Sequence, residues 1–214
     1  MILTNVHAGE DSNNNRVIAN GHIFGIHRLS HDETTFHLTC GHTGTDIVPE
    51  FTYRGEFPIP QSEYRPHVKV EGYVHTYEVE DKDGNRYQRQ TFIATDVSKQ
   101  GTLCDDVFGN KGCFYAAPQI AIFIKGTLEY IDGDIQNDKF VNLFVRPENE
   151  DHGIKISCRV YSTLKRIDPQ IGEEVMCVCD LKTRKKNDSG LQYDNKITSY
   201  YENIILLDLA TNED

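Results

Sequence analysis

Five bases, Lys182, Arg184, Lys185, Lys186 and Lys196, crowd around the turn at Gly190 in a chain whose formal net charge is -11. A local positive tract says more than the whole-chain sum, because a polyanion is held where its counterions can be displaced. Tyrosines keep these bases company. Tyr161 and Tyr193 lie in the second half with Arg159, and Tyr53, Tyr73, Tyr77 and Tyr87 lie in the first with Arg54, Arg86 and Arg89. Flat rings beside cations suit an unpaired polynucleotide, since rings stack on bases at about 1–3 kcal/mol each and cations meet phosphates. Phe36, Phe51 and Phe140 extend the set. Every one of these aromatics has a plainer use in a core, which would claim Phe36, Phe51, Phe92 and Phe140 first. The plainer use of the basic tract is a solvated loop face.

Other chemistries find less support. Most of the nine histidines, His22, His27, His31, His37 and His42 among them, fall in the first half. They form no helical H-x-x-x-H and no cysteine pair completes a tetrahedral set, so no metal is expected. The six cysteines contain no C-x-x-C, and Cys177 and Cys179 read as alternate inward positions of one strand. No nucleophile elbow, triad or phosphate-cradling loop occurs, and Asp81 to Gly84 lacks the remaining oxygens of a calcium loop. Neither catalysis nor a cofactor is expected. No run of about 18 apolar residues exists, and Met1 to Asn5 lacks a signal-peptide pattern, which makes the expectation a cytoplasmic chain without membrane contact.

The elements that must position these residues come in two sets. Asp81-Lys-Asp-Gly84-Asn-Arg-Tyr87 recurs as Asn187-Asp-Ser-Gly190-Leu-Gln-Tyr193. Upstream, Val68 and Val70 answer Val175 and Cys177, Tyr53 and Arg54 answer Cys158 and Arg159, Phe36 answers Phe140, and Gly21 answers Gly126. Such self-similarity marks an internal repeat and favours two domains over one. Val68, Val70, Gly72 and Val74 alternate with Lys69, Glu71, Tyr73 and His75, the period of a strand with one buried face. The Asp-Gly and Ser-Gly turns make each half end in a hairpin. Shorter strands are predicted over 16–29, 34–40 and 50–57, then 120–131, 139–146 and 154–162, with one or two helical turns at most within 162–170. Residues 1–98 form the first domain, 99–118 a connector and 119–214 the second. Five short strands closed by a long hairpin describe a Greek-key barrel of the OB type, so the fold class is all-β with two tandem five-stranded OB barrels.

The segment Val68-Lys-Val-Glu-Gly72-Tyr-Val, with its Asp81-Lys-Asp-Gly84 tip and the strand Phe92 to Val97, resembles the bacterial single-stranded DNA-binding protein family. Val17 to Ile23 and Glu50-Phe51 suit that family's first and third strands. The resemblance implies non-catalytic binding of single-stranded DNA in replication, repair or DNA transfer, with four OB domains assembled from a homodimer. RNA would meet the same stacking surfaces. The chain has no tryptophan, so phenylalanine and tyrosine must do any stacking. Thr211 to Asp214 stands where the family carries an apolar hook for partner proteins, and recruitment by that route is not expected. The alternative is an OB module for protein–protein assembly that binds no nucleic acid.

Overall fold

The computed structural model describes residues 14–40, 47–60, 63–99, 120–185 and 200–211. Strands β1 (Asn15–Arg28), β2 (Glu33–Thr39), β3 (Glu50–Arg54), β4 (His67–Glu80) and β5 (Arg86–Lys99) make up the first half. The second holds β6 (Ile120–Asp132), β7 (Phe140–Arg146), β8 (Ile154–Arg159), helix α1 (Ser162–Ile167), β9 (Glu174–Lys185) and β10 (Tyr200–Thr211). The molecule is almost wholly β, with one short helix among the described residues. That helix buries only Leu164 and stops where Asp168 enters the left-handed region at φ 46°.

Pairings within each half close into a ring. In the first, β1 pairs β2 and β4, β3 pairs β2 and β5, and β4 pairs β5, with only β3–β5 parallel. In the second, β6, β7, β8, β10 and β9 repeat the same order, with only β8–β10 parallel. Alternation drives this, because one parity of each strand is apolar and turns inward. Val68, Val70 and Val74 on β4 and Val175, Cys177, Cys179 and Leu181 on β9 are all buried. Gly21 and Gly126 permit the tight crossings of β1 on β2 and β6 on β7. A Cβ at either would collide with a neighbouring carbonyl, that of Thr39 or of Arg146. At the tip of the β4–β5 hairpin, Gly84 sits at φ 81° while the Asp81 carboxylate accepts from the amides of Asp83 and Asn85, each at 2.9 Å.

The halves join through β1 and β6, which run antiparallel from Asn15↔Ile124 to Ala19↔Ile120 about a central Val17↔Ile122 pair. Val17 and Ile122 hold corresponding places, for Val17 also faces Gly72 on β4 as Ile122 faces Cys179 on β9. The junction is therefore locally two-fold. Asn15 is buried there and its side-chain amide satisfies both backbone groups of Val74, Nδ2 donating to the carbonyl at 2.7 Å and Oδ1 accepting from the amide at 3.0 Å.

Each half's hairpin also leans on the loop between the second and third strands of the other half. Val48 N donates to Thr183 Oγ1 at 2.8 Å and Glu50 N to Glu202 Oε1 at 2.7 Å. In return Glu150, its side chain 8% exposed, accepts from Thr76 N at 3.2 Å and Thr76 Oγ1 at 3.4 Å, with His75 Nδ1 3.3 Å away. Gln88 Nε2 donates to the Gly153 carbonyl at 2.7 Å, and the Gln90 amide pairs with the Lys155 backbone.

Candidate nucleic-acid interface

The side chains that point away from each core make the candidate surface. On the first half these are Thr52 and Arg54 on β3, Tyr73, His75 and Tyr77 on β4, and Tyr87, Arg89 and Thr91 on β5. Cross-strand pairs His75↔Thr91, Tyr77↔Arg89 and Val79↔Tyr87 bring the hairpin residues into rows. The rings of Tyr73 and His75 meet edge-on at 6.5 Å, and those of His75 and Tyr77 lie 6.1 Å apart at 18°. Across the hairpin the Arg89 guanidinium sits 5.3 Å from the Tyr87 ring and donates to its hydroxyl at 3.3 Å. Burial raises the Tyr73 hydroxyl above its ordinary pKa of 10.0, with Arg54 opposing and Glu150 adding to the shift. Arg54 Nε lies 3.9 Å from Glu33, and Arg86 pairs with Glu80 at 3.4 Å.

Three residues in the predicted set belong elsewhere. Phe36 and Phe51 are fully buried, their rings 5.7 Å apart, with Phe92 another 5.6 Å beyond Phe51. Tyr53 shares the inward face of β3 with Phe51, as strand parity requires, and packs edge-on against Phe57 at 5.6 Å. Phe36 and Phe51 offer no face to a ligand, and Tyr53, half-buried, is packed against the core.

The second half is the richer surface. Its outer rows are Phe140↔Arg159, Asn142↔Ser157 and Phe144↔Lys155 between β7 and β8, then Asn203↔Lys182 between β10 and β9, with Arg184 two residues further along β9. Phe140, expected among the first to join a core, is 69% exposed, and Tyr161 is 54% exposed with the Arg159 guanidinium 5.7 Å from its ring. Ser157 Oγ bridges Asn142 and Asn203 at 2.9 and 2.8 Å, tying β7, β8 and β10 together within this face. Lys155, Arg159, Lys182 and Arg184 are exposed. None of them forms an ion pair with another described residue. Exposed cations without an acidic partner are available to phosphates. The Lys185 side chain and all of Lys186, Tyr193 and Lys196 lie outside the described residues.

Several members of this face are invisible to the repeat as read from sequence. Tyr130 faces Phe144 across β6–β7 with ring centroids 5.6 Å apart, and Lys155 stands beside them. The register explains the omission. Gly21 crosses at Thr39 and Gly126 at Arg146, so Thr39 corresponds to Arg146 and the counterpart of Phe36 is buried Leu143, not Phe140. The signal that locates the face is the lone polar Asn142, which fixes the outward parity of Phe140 and Phe144.

Reactive chemistry is scarce among the described residues. Burial pushes the Cys158 thiol up to about 11 and the Cys177 thiol up to about 12, and raises Cys40 and Cys179 further still. Thiols held in that way are inert at neutral pH. Among the described residues no group of three or more His, Cys, Asp and Glu is placed to hold a metal ion. No described helix is long and apolar enough to cross a membrane.

No protein-family model and no curated protein matches this chain. Two crystal structures of the single-stranded DNA binding protein from Thermus aquaticus are similar to it in fold. The wild type is 12% identical with a TM-score of 0.57, the match covering 92% of each chain. A deletion mutant of the same protein is 11% identical with a TM-score of 0.56, covering 92% of this chain and 93% of that one. The likeness runs through both halves of the molecule.

Proposed function

We propose that this chain binds single-stranded DNA without catalysis and with little regard for base sequence, in replication, repair or transfer of DNA. The observation that carries the reading is the outer face of the second half, where the rings of Tyr130, Phe140 and Phe144 are paired in register with one another or with Lys155 and Arg159, Tyr161 lies beside Arg159, and β9 adds the exposed Lys182 and Arg184. Bases stack on the rings while phosphates run along the cations, and every base has a face to stack, so sequence matters little. Tyr73, Tyr77 and Tyr87 with Arg54, Arg86 and Arg89 continue the path over the first half, and Lys185, Lys186, Tyr193 and Lys196 belong to the second hairpin's share of it. The Thermus aquaticus protein of similar fold is named for this ligand.

In this reading residues 1–98 and 119–214 are tandem five-stranded OB barrels joined by 99–118. Two chains associate as a homodimer with four such barrels, and the setting is the cytoplasm. A two-fold dimer covers strand edges that would otherwise invite stray pairing. The test is fluorescence anisotropy of a labelled poly-thymidine oligomer at low and moderate salt with duplex competitor. Salt-sensitive binding that duplex fails to displace supports the reading, equal binding of poly-uridine adds RNA, and no binding at low salt leaves the protein-assembly alternative.

A further inference from the structure

The two outer faces can be compared position by position, because the ladder pairs correspond one to one. Glu33↔Arg54 in the first half stands where Phe140↔Arg159 stands in the second, and His37↔Glu50 stands where Phe144↔Lys155 does. On the hairpins Tyr73, His75 and Tyr77 occupy the places of Asp180, Lys182 and Arg184, and Thr91 that of Asn203. At these places on the second to fourth strands of each half, the first half has one cation, Arg54, against two carboxylates. The second has Lys155, Arg159, Lys182 and Arg184 against the single carboxylate of Asp180. Pairing sharpens the contrast. Arg54 is already engaged by Glu33 at 3.9 Å, and Glu50 lies 3.1 Å from the buried ring of His37, whose side chain is 3% exposed. The counterparts of Glu33 and Glu50 are a ring and a lysine, so Arg159 meets no acid there.

We infer that the two halves divide the work on a bound strand: the second half is the phosphate anchor, engaged first and responsible for the salt dependence, while the first half holds bases by its tyrosines with few phosphate contacts. This rests on the single-stranded DNA reading above. A strand short enough to fill one face goes to the second half, since long-range attraction and counterion release both favour it. A longer strand then extends over Tyr73, Tyr77 and Tyr87, where stacking is indifferent to salt.

Two measurements on the full chain test this. The first is the salt slope of poly-thymidine binding for Lys155→Ala/Arg159→Ala and for Arg54→Ala/Arg89→Ala, with thermal melts to confirm folding. The second-half pair is expected to weaken binding at least tenfold at low salt and to flatten the slope by about 0.7 for each phosphate no longer neutralised. The first-half pair, whose members are already engaged by Glu33 and by the Tyr87 ring, is expected to flatten the slope by less than half as much. Equal flattening by both pairs overturns the division of labour. The second measurement needs no variant: a short 5-iodouridine oligomer is cross-linked to excess wild-type protein and the adducts are mapped. Adducts at Tyr130, Phe140, Phe144 or Tyr161 support the inference, and equal or greater yield at Tyr73, Tyr77 or Tyr87 refutes it. A wild type that binds no oligomer would overturn the ligand itself, which is a different failure.

Discussion

Phe36 and Phe140, which the repeat matches only when aligned on its phenylalanines, are opposites in the structure, so changing each to alanine separates packing from binding. Phe36 is fully buried between Phe51 and Phe57, with ring centroids at 5.7 and 5.1 Å. Its removal loses the transfer energy of the ring and leaves a cavity, about 3–5 kcal/mol for such a site. Phe140 is 69% exposed and buries only about a third of its surface. Full burial of such a side chain is worth about 1.5–3 kcal/mol, so Phe140→Ala is expected to change stability by about 1 kcal/mol or less. Its effect should fall on the ligand, where loss of one stacked base is worth about 1–3 kcal/mol, or about five- to 150-fold in affinity. Urea unfolding with far-ultraviolet circular dichroism reads the first quantity and anisotropy with poly-thymidine the second. A Phe140→Ala protein that loses several kcal/mol of stability, or one that keeps full affinity, would show that the outward register of β7 is wrong or that the ring takes no part.

Replacing Asn15 with leucine should lower stability by about 2 kcal/mol or more, because both Val74 backbone groups lose a buried partner; a urea midpoint equal to the wild type's would show that water replaces the amide freely. Alanine at Gly126 should unfold the second half or prevent its expression, since the new methyl meets the Arg146 carbonyl, and a soluble variant with wild-type melting would contradict the crossing. Replacing Lys182, Arg184, Lys185 and Lys186 together with alanine should weaken single-strand binding and flatten its salt slope, and an unaltered slope would remove the second hairpin from the phosphate path. His67 gives an acid-side dependence. Burial, aided by the charge of His22, holds its imidazole below the ordinary 6.5, so the unfolded chain takes up the proton first as pH falls. That contribution is whole above about pH 6.5 and is lost as pH drops below it toward the lower folded value. His67→Phe should therefore flatten stability against pH between about 7 and 5, and an unchanged profile would assign the trend to other groups.

The alternation over Val68 to Val74 and Val175 to Leu181 was readable because a strand with one wet face must alternate, and the turn at Asp81 to Asn85 because its glycine and aspartate are the residues such turns need. The cysteines at 177 and 179 were readable for the same reason. The face of β7 was harder, since Phe140-Val-Asn-Leu-Phe-Val145 is apolar on both parities except at Asn142. A repeat aligned on phenylalanines then chose the wrong partner for Phe36. What no local pattern could reveal is the meeting of β1 with β6 and of each hairpin with the opposite half. Those meetings are chosen by segments far away in the chain, as with Asn15 and Val74 or Glu50 and Glu202.

The pairing of β1 with β6 about Val17 and Ile122 has an implication for the two halves held apart. An antiparallel edge centred on one residue is self-complementary: the stretch Asn15 to Ala19 that accepts β6 could accept a second copy of itself in the same register, Val17 on Val17. A first half freed from the second would thus present a sticky edge whose best available partner is its own twin. Covalent linkage raises the local concentration of the foreign strand above that of the twin, and so keeps two unlike surfaces together where separate chains would sort into like pairs.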